Sequence, residues 1–256
     1  YDSRLMMHLL DSPVQDGGQW DMFVNLIEKY GVVPQSVMAE SFQSSQSRMM
    51  NQFLTRKLRE FAWTLRSMND KGKKLSDLRK EKENMMSIVY TMLCICLGDP
   101  PTNFDWQTRD KKNKFIRKTN LTPQDFYKKH CNINLKDKVC LIHAPMSNKK
   151  MNELYTVSYL GNVVGGQIIK YANVELDEIK KSAIKSIKNN ESVWFGCDVG
   201  KMFHRQLGLM DMDLYDYEAL FGTQFKMNKS TRLEYGDSQM THAMLFTGVD
   251  LVGGKS

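Results

Sequence analysis

The stretch DGGQWDMFVNLIEKYGVVP, residues 16–34, contains a glycine pair followed by the start and the end of a helix. Its apolar residues recur at intervals that suit one helix face: Trp20, Phe23, Val24, Ile27 and Tyr30. Gly31 suits the position after the last helical turn, and Pro34 prevents continuation because it has no amide hydrogen. The pattern therefore predicts a helix over residues 20–30.

Two longer segments downstream repeat the same periodicity. The apolar residues at alternating steps of four and three are Leu54, Leu58, Phe61, Leu65 and Met68 in the first segment, and Met85, Val89, Met92 and Cys96 in the second. The connection Asn69–Lys74 is polar and contains Gly72, and the breakers of Gly98–Pro101 end the second segment. We predict two long, antiparallel helices that form a hairpin.

Later segments change from helical to strand patterns. Thr122 and Pro123 predict the start of a short helix, and an amphipathic, lysine-rich helix is predicted to begin near Asp177. Short β-prone runs bounded by breakers predict strands at Val139–Ala144, Tyr155–Leu160, Val193–Cys197 and Met244–Val249. Helices first and strands mostly later indicate an α+β fold.

Length, composition and cysteine usage restrict the class of protein. The 256 residues are 41% apolar, which supports a folded core, and no run reaches the roughly 18 apolar residues of a membrane span. Five cysteines are too few and too scattered for a disulfide framework. These features favour a cytoplasmic location and no membrane partner.

Positive charge is concentrated in the middle of the chain. The formal net charge is +7, and residues 48–188 carry the excess because both flanking parts contain more acidic than basic residues. The densest run is Arg109–Lys118, followed by Lys71–Lys82. A solvated surface is the favoured interpretation, and weak, salt-sensitive nucleic-acid binding is the alternative.

Blocks distributed along the chain carry a family resemblance. They are Asp16–Pro34, Cys94–Pro101 (CICLGDPP), Leu154–Gly166 (LYTVSYLGNVVGG), Val193–Gly200 (VWFGCDVG) and Met240–Gly248 (MTHAMLFTG). In this order they resemble papain-type cysteine peptidases, and more closely the bleomycin hydrolase family. The resemblance implies a papain-like fold with a long helical insertion. Residues 1–39 would belong to its helical half, 40–135 to the insertion, and 136–256 mostly to its sheet half.

The resemblance also assigns site residues. Cysteine peptidase chemistry needs a thiolate, an imidazolium and a group that orients the imidazole ring. By resemblance His242 is the catalytic histidine, whereas periodicity alone favours a structural histidine at the start of a strand. Gly17 and Gly18 are assigned to substrate binding, because a backbone without Cβ atoms lets an extended peptide approach closely. The alternative for this pair is a simple turn.

The sequence departs from the family pattern at two places. The family's nucleophile precedes the position of Asp16, and its Asn-Ser-Trp-Gly segment follows the histidine, but neither is present in this sequence. We therefore expect an incomplete papain-like domain without peptidase activity of its own. Cys197 is the alternative nucleophile, although a strand lacks the helix N-terminal field that lowers a thiol pKa. Structural packing is the favoured role for Cys197.

The resemblance implies further properties of the complete protein. It would be an aminopeptidase that acts on peptides and amide-containing small molecules, and it would assemble as a homohexamer. No cofactor and no metal is expected, since neither Cys94 with Cys96 nor His130 with Cys131 has a second ligand pair at metal spacing. The alternative from another functional class is a noncatalytic remnant that serves assembly or polyanion binding.

Overall fold

The computed structural model describes residues 3–15, 17–131 and 133–253, which form two compact units. The first unit runs to Leu135 and includes Gly161–Gln167. The second contains Lys136–Leu160 and the chain from Ile168 onward. Asp16, the first residue of the glycine stretch, lies outside the described residues. The family-derived division at residues 39 and 135 stays a prediction.

Helices dominate the first unit. They are α1 Arg4–Asp11, α2 Trp20–Tyr30, α3 Phe42–Ser45, α4 Arg48–Asp70, α5 Leu75–Leu97 and α6 Pro123–Phe126. The predicted helix over residues 20–30 is confirmed as α2. Its residues Val24 and Ile27 are buried with Tyr127 and Leu135 in one apolar cluster, against which Trp20 packs. Trp20 is therefore a packing residue at the start of α2.

The end of α2 touches the start of α6 through Gly31. The Val32 amide donates to the Pro123 carbonyl at 3.2 Å, and the backbone at Gly31 has a φ of 76°. A Cβ atom at Gly31 would lie 2.2 Å from the carbonyl carbon of Pro123. Two backbones can approach this closely only because residue 31 has no side chain.

The predicted helical hairpin is confirmed as α4 and α5, which pack against each other. Leu54 and Phe61 of α4 and Met85 of α5 are its buried residues. The guanidinium of Arg59 donates to the carbonyls of Leu10 and Asp11, which attaches the C-terminal end of α1 to α4. In the described part of the chain, no helix is long and apolar enough to cross a membrane.

The basic run forms a β-hairpin that the periodicity did not predict. Strand β1, Phe104–Arg109, pairs antiparallel with β2, Phe115–Leu121. At the tip, the Asp110 carboxylate accepts the amides of Lys112 and Lys114, both at 2.9 Å, and Asn113 has a φ of 63°. Frequent lysines obscured the alternation of apolar and polar residues that predicts strands. The region predicted as a helical insertion therefore also contains a β-hairpin.

The predicted short helix after Thr122 is confirmed as α6. The Thr122 hydroxyl accepts the Asp125 amide at 3.0 Å and donates to the Asp125 carboxylate at 2.7 Å. The Lys129 ammonium lies 2.8 Å from the same carboxylate. The hydrogen bond from Lys129 is the main cause that lowers the pKa of Asp125 to about 2, with Thr122 adding to the effect.

This lowered pKa predicts an acid-dependent loss of stability. An unfolded aspartate titrates near pH 3.9, so the ionised Asp125 contributes stability above that pH and loses it as pH falls toward about 2. We expect Asp125→Asn to flatten the dependence of unfolding free energy on pH in this window, measured by urea denaturation at several pH values. Asp77→Asn, at an exposed position in the first turn of α5, should leave it unchanged. Equal slopes for Asp125→Asn and the unsubstituted protein would contradict the assignment.

The second unit contains small sheets and three helices among its described residues. The strands are β3 Leu141–Ile142, β4 Glu153–Tyr155, β5 Tyr171–Asn173, β6 Val193–Cys197, β7 Phe203–His204, β8 Leu209–Met210 and β9 His242–Phe246, and the helices are α7 Leu176–Lys188, α8 Tyr217–Phe221 and α9 Lys229–Glu234. In the three-stranded sheet β5 lies between β3 and β4. Helix α7, predicted near Asp177, contacts β3 and β6.

Three of the predicted strands have different bounds in the structure, whereas Val193–Cys197 is confirmed as β6. The strand predicted over Tyr155–Leu160 is wrong beyond Tyr155, because its partner β5 is only three residues long. The same short partner limits the strand predicted over Val139–Ala144 to β3. The last strand begins two residues earlier than predicted, at His242, because its register with β6 pairs His242 with Cys197.

Asn173 organises the loop that follows β3. Its side chain is completely buried, and its amide oxygen accepts the Ala144 amide at 2.8 Å. Its amide nitrogen lies within hydrogen-bonding distance of the carbonyls of Ala144, Lys149 and Lys150. A buried amide is tolerated because these backbone groups satisfy it.

Candidate active site

The strand pair β6 and β9 carries the histidine assigned from the sequence. The two strands are antiparallel, and their register pairs Cys197 with His242. The rings of Phe195 and Phe246 stack with a centroid distance of 3.6 Å and an interplanar angle of 4°. This stacking adds a cross-strand contact to the backbone ladder. The structure thus places His242 at the first residue of a paired strand, two residues before the predicted start of that strand.

His242 is exposed, and its cross-strand partner Cys197 is half-buried. Side chains of directly opposite residues in an antiparallel pair project from the same face of the sheet, with Cβ atoms about 5 Å apart. The structure therefore brings together the histidine and the cysteine that the sequence offered as an alternative nucleophile. An exposed imidazole at a strand end is accessible to a substrate or to another segment of protein.

The environment of Cys197 keeps its thiol protonated. Burial raises the pKa of Cys197, and the neighbouring Asp198 carboxylate raises it further. A nucleophilic cysteine needs the opposite shift, which a positive neighbour or a helix N-terminus provides. The geometry next to His242 suits a dyad, but the electrostatics favour the packing role predicted for Cys197.

The chain immediately before His242 is attached to the end of β6. The Thr241 amide donates to the Cys197 carbonyl at 3.1 Å, and the Val199 amide donates to the Thr241 hydroxyl at 3.2 Å. The Asp198 carboxylate also interacts with the Ser238 side chain. No sequence pattern predicted a role for Asp198, Ser238 or Thr241. The only available signal was an acidic residue directly after an apolar strand.

Gly17 and Gly18 lie in the first unit, directly before α2. Both are exposed, neither has a positive φ, and a Cβ atom at either would meet no other atom within 4 Å. The following residue, Gln19, has an extended backbone with φ −112° and ψ 159°. Nothing among the described neighbours requires glycine here, so the open face is available to a ligand that approaches the backbone closely.

The predicted site residues are divided between the two units. Gly17 and Gly18 belong to the first unit and His242 to the second. Among the residues that the structure describes, no group of three or more histidine, cysteine, aspartate or glutamate side chains has a geometry that could hold a metal ion. The chemistry these residues can offer is proton transfer by an imidazole and backbone hydrogen bonding by a glycine pair.

Comparisons with known proteins give the same family as the sequence blocks. The model of the Peptidase C1-like family matches residues 1–256. Human bleomycin hydrolase is 47% identical over 251 residues, which cover 97% of this chain and 55% of that protein. Aminopeptidase C of Listeria monocytogenes is 46% identical over 254 residues, which cover 99% of this chain and 57% of that protein.

A solved structure extends the similarity to the fold. The crystal structure of PepW from Lactobacillus rhamnosis HN001 matches with a TM-score of 0.96 and 48% sequence identity, covering 99% of this chain and 57% of that one. The predicted α+β, papain-like fold with a helical insertion is therefore confirmed. The chain spans a little over half the length of the relatives it matches. On the match of the family model over residues 1–256, the chain belongs to the Peptidase C1-like family.

Proposed function

We propose that this chain is part of a cysteine-type aminopeptidase that acts on peptides and amide-containing small molecules. The observation that carries the proposal is the position of His242, an exposed imidazole at the first residue of β9 in a chain of this family. Relatives named bleomycin hydrolase and aminopeptidase C support this substrate class.

In this proposal His242 stabilises a thiolate and then protonates the leaving amine. The two roles need an imidazole that is accessible and held by a rigid backbone, and the paired start of β9 supplies both. Gly17 and Gly18 would bind the substrate backbone through strand-like hydrogen bonds, which their open faces permit.

The attacking thiolate is proposed to come from outside these 256 residues. The first cysteine of the sequence is Cys94, well after the glycine pair, and Cys197 has a raised pKa. We therefore expect no peptidase activity from residues 1–256 alone. The full-length protein is expected to work without a cofactor.

We also propose a cytoplasmic location and a homohexameric assembly for the full-length protein. A cytoplasmic location is supported by the absence of disulfides among the described residues, where Cys94, Cys96, Cys131 and Cys197 are free thiols. A homohexamer is implied by the family resemblance alone. Weak nucleic-acid binding is supported by the exposed lysines at the tip of the β1–β2 hairpin, although Asp105 pairs with Arg117 and reduces its net charge.

Covalent labelling tests the peptidase proposal. An epoxide inhibitor of cysteine peptidases should modify one cysteine of the full-length protein, outside residues 1–256, and should leave the 256-residue chain unmodified. Peptide mass analysis locates the adduct. The full-length protein should also release coumarin from an aminoacyl substrate with a free α-amino group and spare the N-acetylated substrate.

Cys197→Ser provides the matched control, since it removes the thiol opposite His242 with little change of volume. Labelling and turnover should be unchanged in this variant. An adduct on Cys197 that disappears in His242→Ala would instead show a working dyad within these residues. Absence of any thiol-dependent turnover in the full-length protein would refute the peptidase proposal.

A further inference from the structure

The end of β6 contacts the segment before His242 at successive positions. Gly196 makes room for Met240, whose sulfur would lie 2.2 Å from a Cβ atom at residue 196. The Cys197 carbonyl accepts the Thr241 amide at 3.1 Å. The pairing of β9 begins only at His242, so the segment before it is not part of the strand ladder. Contacts with the end of β6 therefore determine where this segment lies.

The next residue after Cys197, Asp198, forms an ion pair. Its side chain is only 13% exposed, and the Lys201 ammonium lies 3.0 Å from its carboxylate. Ser238 and Gln239 are further neighbours of this carboxylate, and both act to lower its pKa. A carboxylate this deeply buried is tolerated only when such partners compensate its lost hydration.

The ionised state of Asp198 follows from the same partners. Burial is the largest influence and by itself raises the pKa of Asp198. The bonds from Lys201, Ser238 and Gln239 outweigh burial, so the net pKa lies below its usual value and the group is charged at neutral pH. The carboxylate is therefore a permanent acceptor for the segment that leads to His242.

We propose that Asp198 is a positioning residue for His242. Held by Lys201, Asp198 fixes the chain at the end of β6, where the Cys197 carbonyl and the Val199 amide on either side of it both bond Thr241. It thereby fixes the point from which the imidazole of His242 projects. This inference rests on the proposed function, since it gives His242 a catalytic role. Catalytic groups lose about 100-fold in rate when misplaced by about 1 Å, so a distant anchor of this kind affects turnover.

Kinetics of the full-length protein test the proposal. Asp198→Ala should lower kcat by about 10- to 100-fold with little change in KM, because it displaces the acid and leaves the glycine pair intact. Asp198→Asn should lose less, since its amide oxygen can still accept a hydrogen bond from Lys201. Asp177→Asn, at an exposed position in the first turn of α7, is the matched control and should be unchanged.

Ser238→Ala keeps the test valid if Asp198→Ala does not fold. It removes one donor to the carboxylate without leaving a buried charge unpaired, and it should lower kcat in the same direction. In the Asp198→Asn, Ser238→Ala double variant the two losses should not be additive, because both act through one contact.

Nuclear magnetic resonance of the full-length protein provides a readout independent of turnover. The ring signal of His242, identified by its absence in His242→Ala, should shift or broaden in Asp198→Ala, whereas the ring signal of His204 should not. Unchanged kcat together with an unchanged His242 signal would overturn the positioning role. If the unsubstituted protein lacks thiol-dependent activity, the peptidase proposal fails, and the ring signal still decides whether Asp198 positions His242.

Discussion

Replacing His242 by alanine in the full-length protein should lower kcat/KM for an aminoacyl coumarin by about 10⁴-fold. The imidazole would be lost both as the group that stabilises the thiolate and as the acid that protonates the leaving amine. Because the side chain is exposed, the melting temperature should change little. The measurement is steady-state kinetics on the purified variant together with thermal unfolding.

His204→Ala is the matched control for this prediction. His204 lies in the same unit on strand β7, where its Nδ1 accepts the Leu207 amide at 3.3 Å. Its loss removes a half-buried imidazole from a paired strand, and kcat/KM should stay within about twofold of the unsubstituted value, as for changes away from a site. Equal activity in His242→Ala and the unsubstituted protein would exclude His242 as the catalytic histidine.

Gly31→Ala should lower the unfolding free energy of the first unit by about 3–6 kcal/mol. Part of the loss is backbone strain, since the residue has φ 76° and ψ −163°, a region that is essentially restricted to glycine. The rest is overlap of the new Cβ with the backbone of Pro123, 2.2 Å away. Backbone cannot move aside as a flexible side chain can, so α2 and α6 would have to separate.

Gly98→Ala separates the effect of backbone strain from the effect of overlap with Pro123. Gly98 also follows a helix, has φ 88° and ψ 163°, and donates its amide to the residue four positions earlier, but no atom lies within 4 Å of its Cβ position. This variant should lose only the strain, about 1–3 kcal/mol. Urea denaturation followed by tryptophan fluorescence, to which Trp20 at the start of α2 contributes, measures both losses. Equal losses in the two variants would show that the contact with Pro123 does not contribute.

Local sequence patterns predicted helices α2, α4, α5, α6 and α7 but not α1, α3, α8 and α9. The steps of three and four between Trp20 and Tyr30 were sufficient for α2, because helix hydrogen bonds join residues four apart and need no distant partner. The same reasoning predicted α4 and α5. Gly31 was correctly predicted to end α2, but its contact with Pro123 was not predicted, since that contact joins segments about ninety residues apart.

The site was predicted only in part. His242 was chosen by resemblance, since a histidine at a strand start has no pattern of its own, and Gly17 with Gly18 was chosen in the same way. Their roles stay predictions. Asp198 was not recognised, because its proposed role depends on Thr241, which bonds the neighbours of Asp198 and lies some forty residues later in the chain.

The sequence by itself therefore determined helices α2, α4, α5, α6 and α7, strand β6 and the family, all of which depend on neighbouring residues or on blocks of consecutive residues. Tertiary structure decided the strand bounds, because a strand extends only as far as its partner, and β5 offers three residues. It also decided that Cys197 lies opposite His242 and that Thr241 bonds the backbone on both sides of Asp198. Strand register and burial of charge join distant parts of the chain, and no local periodicity encodes them.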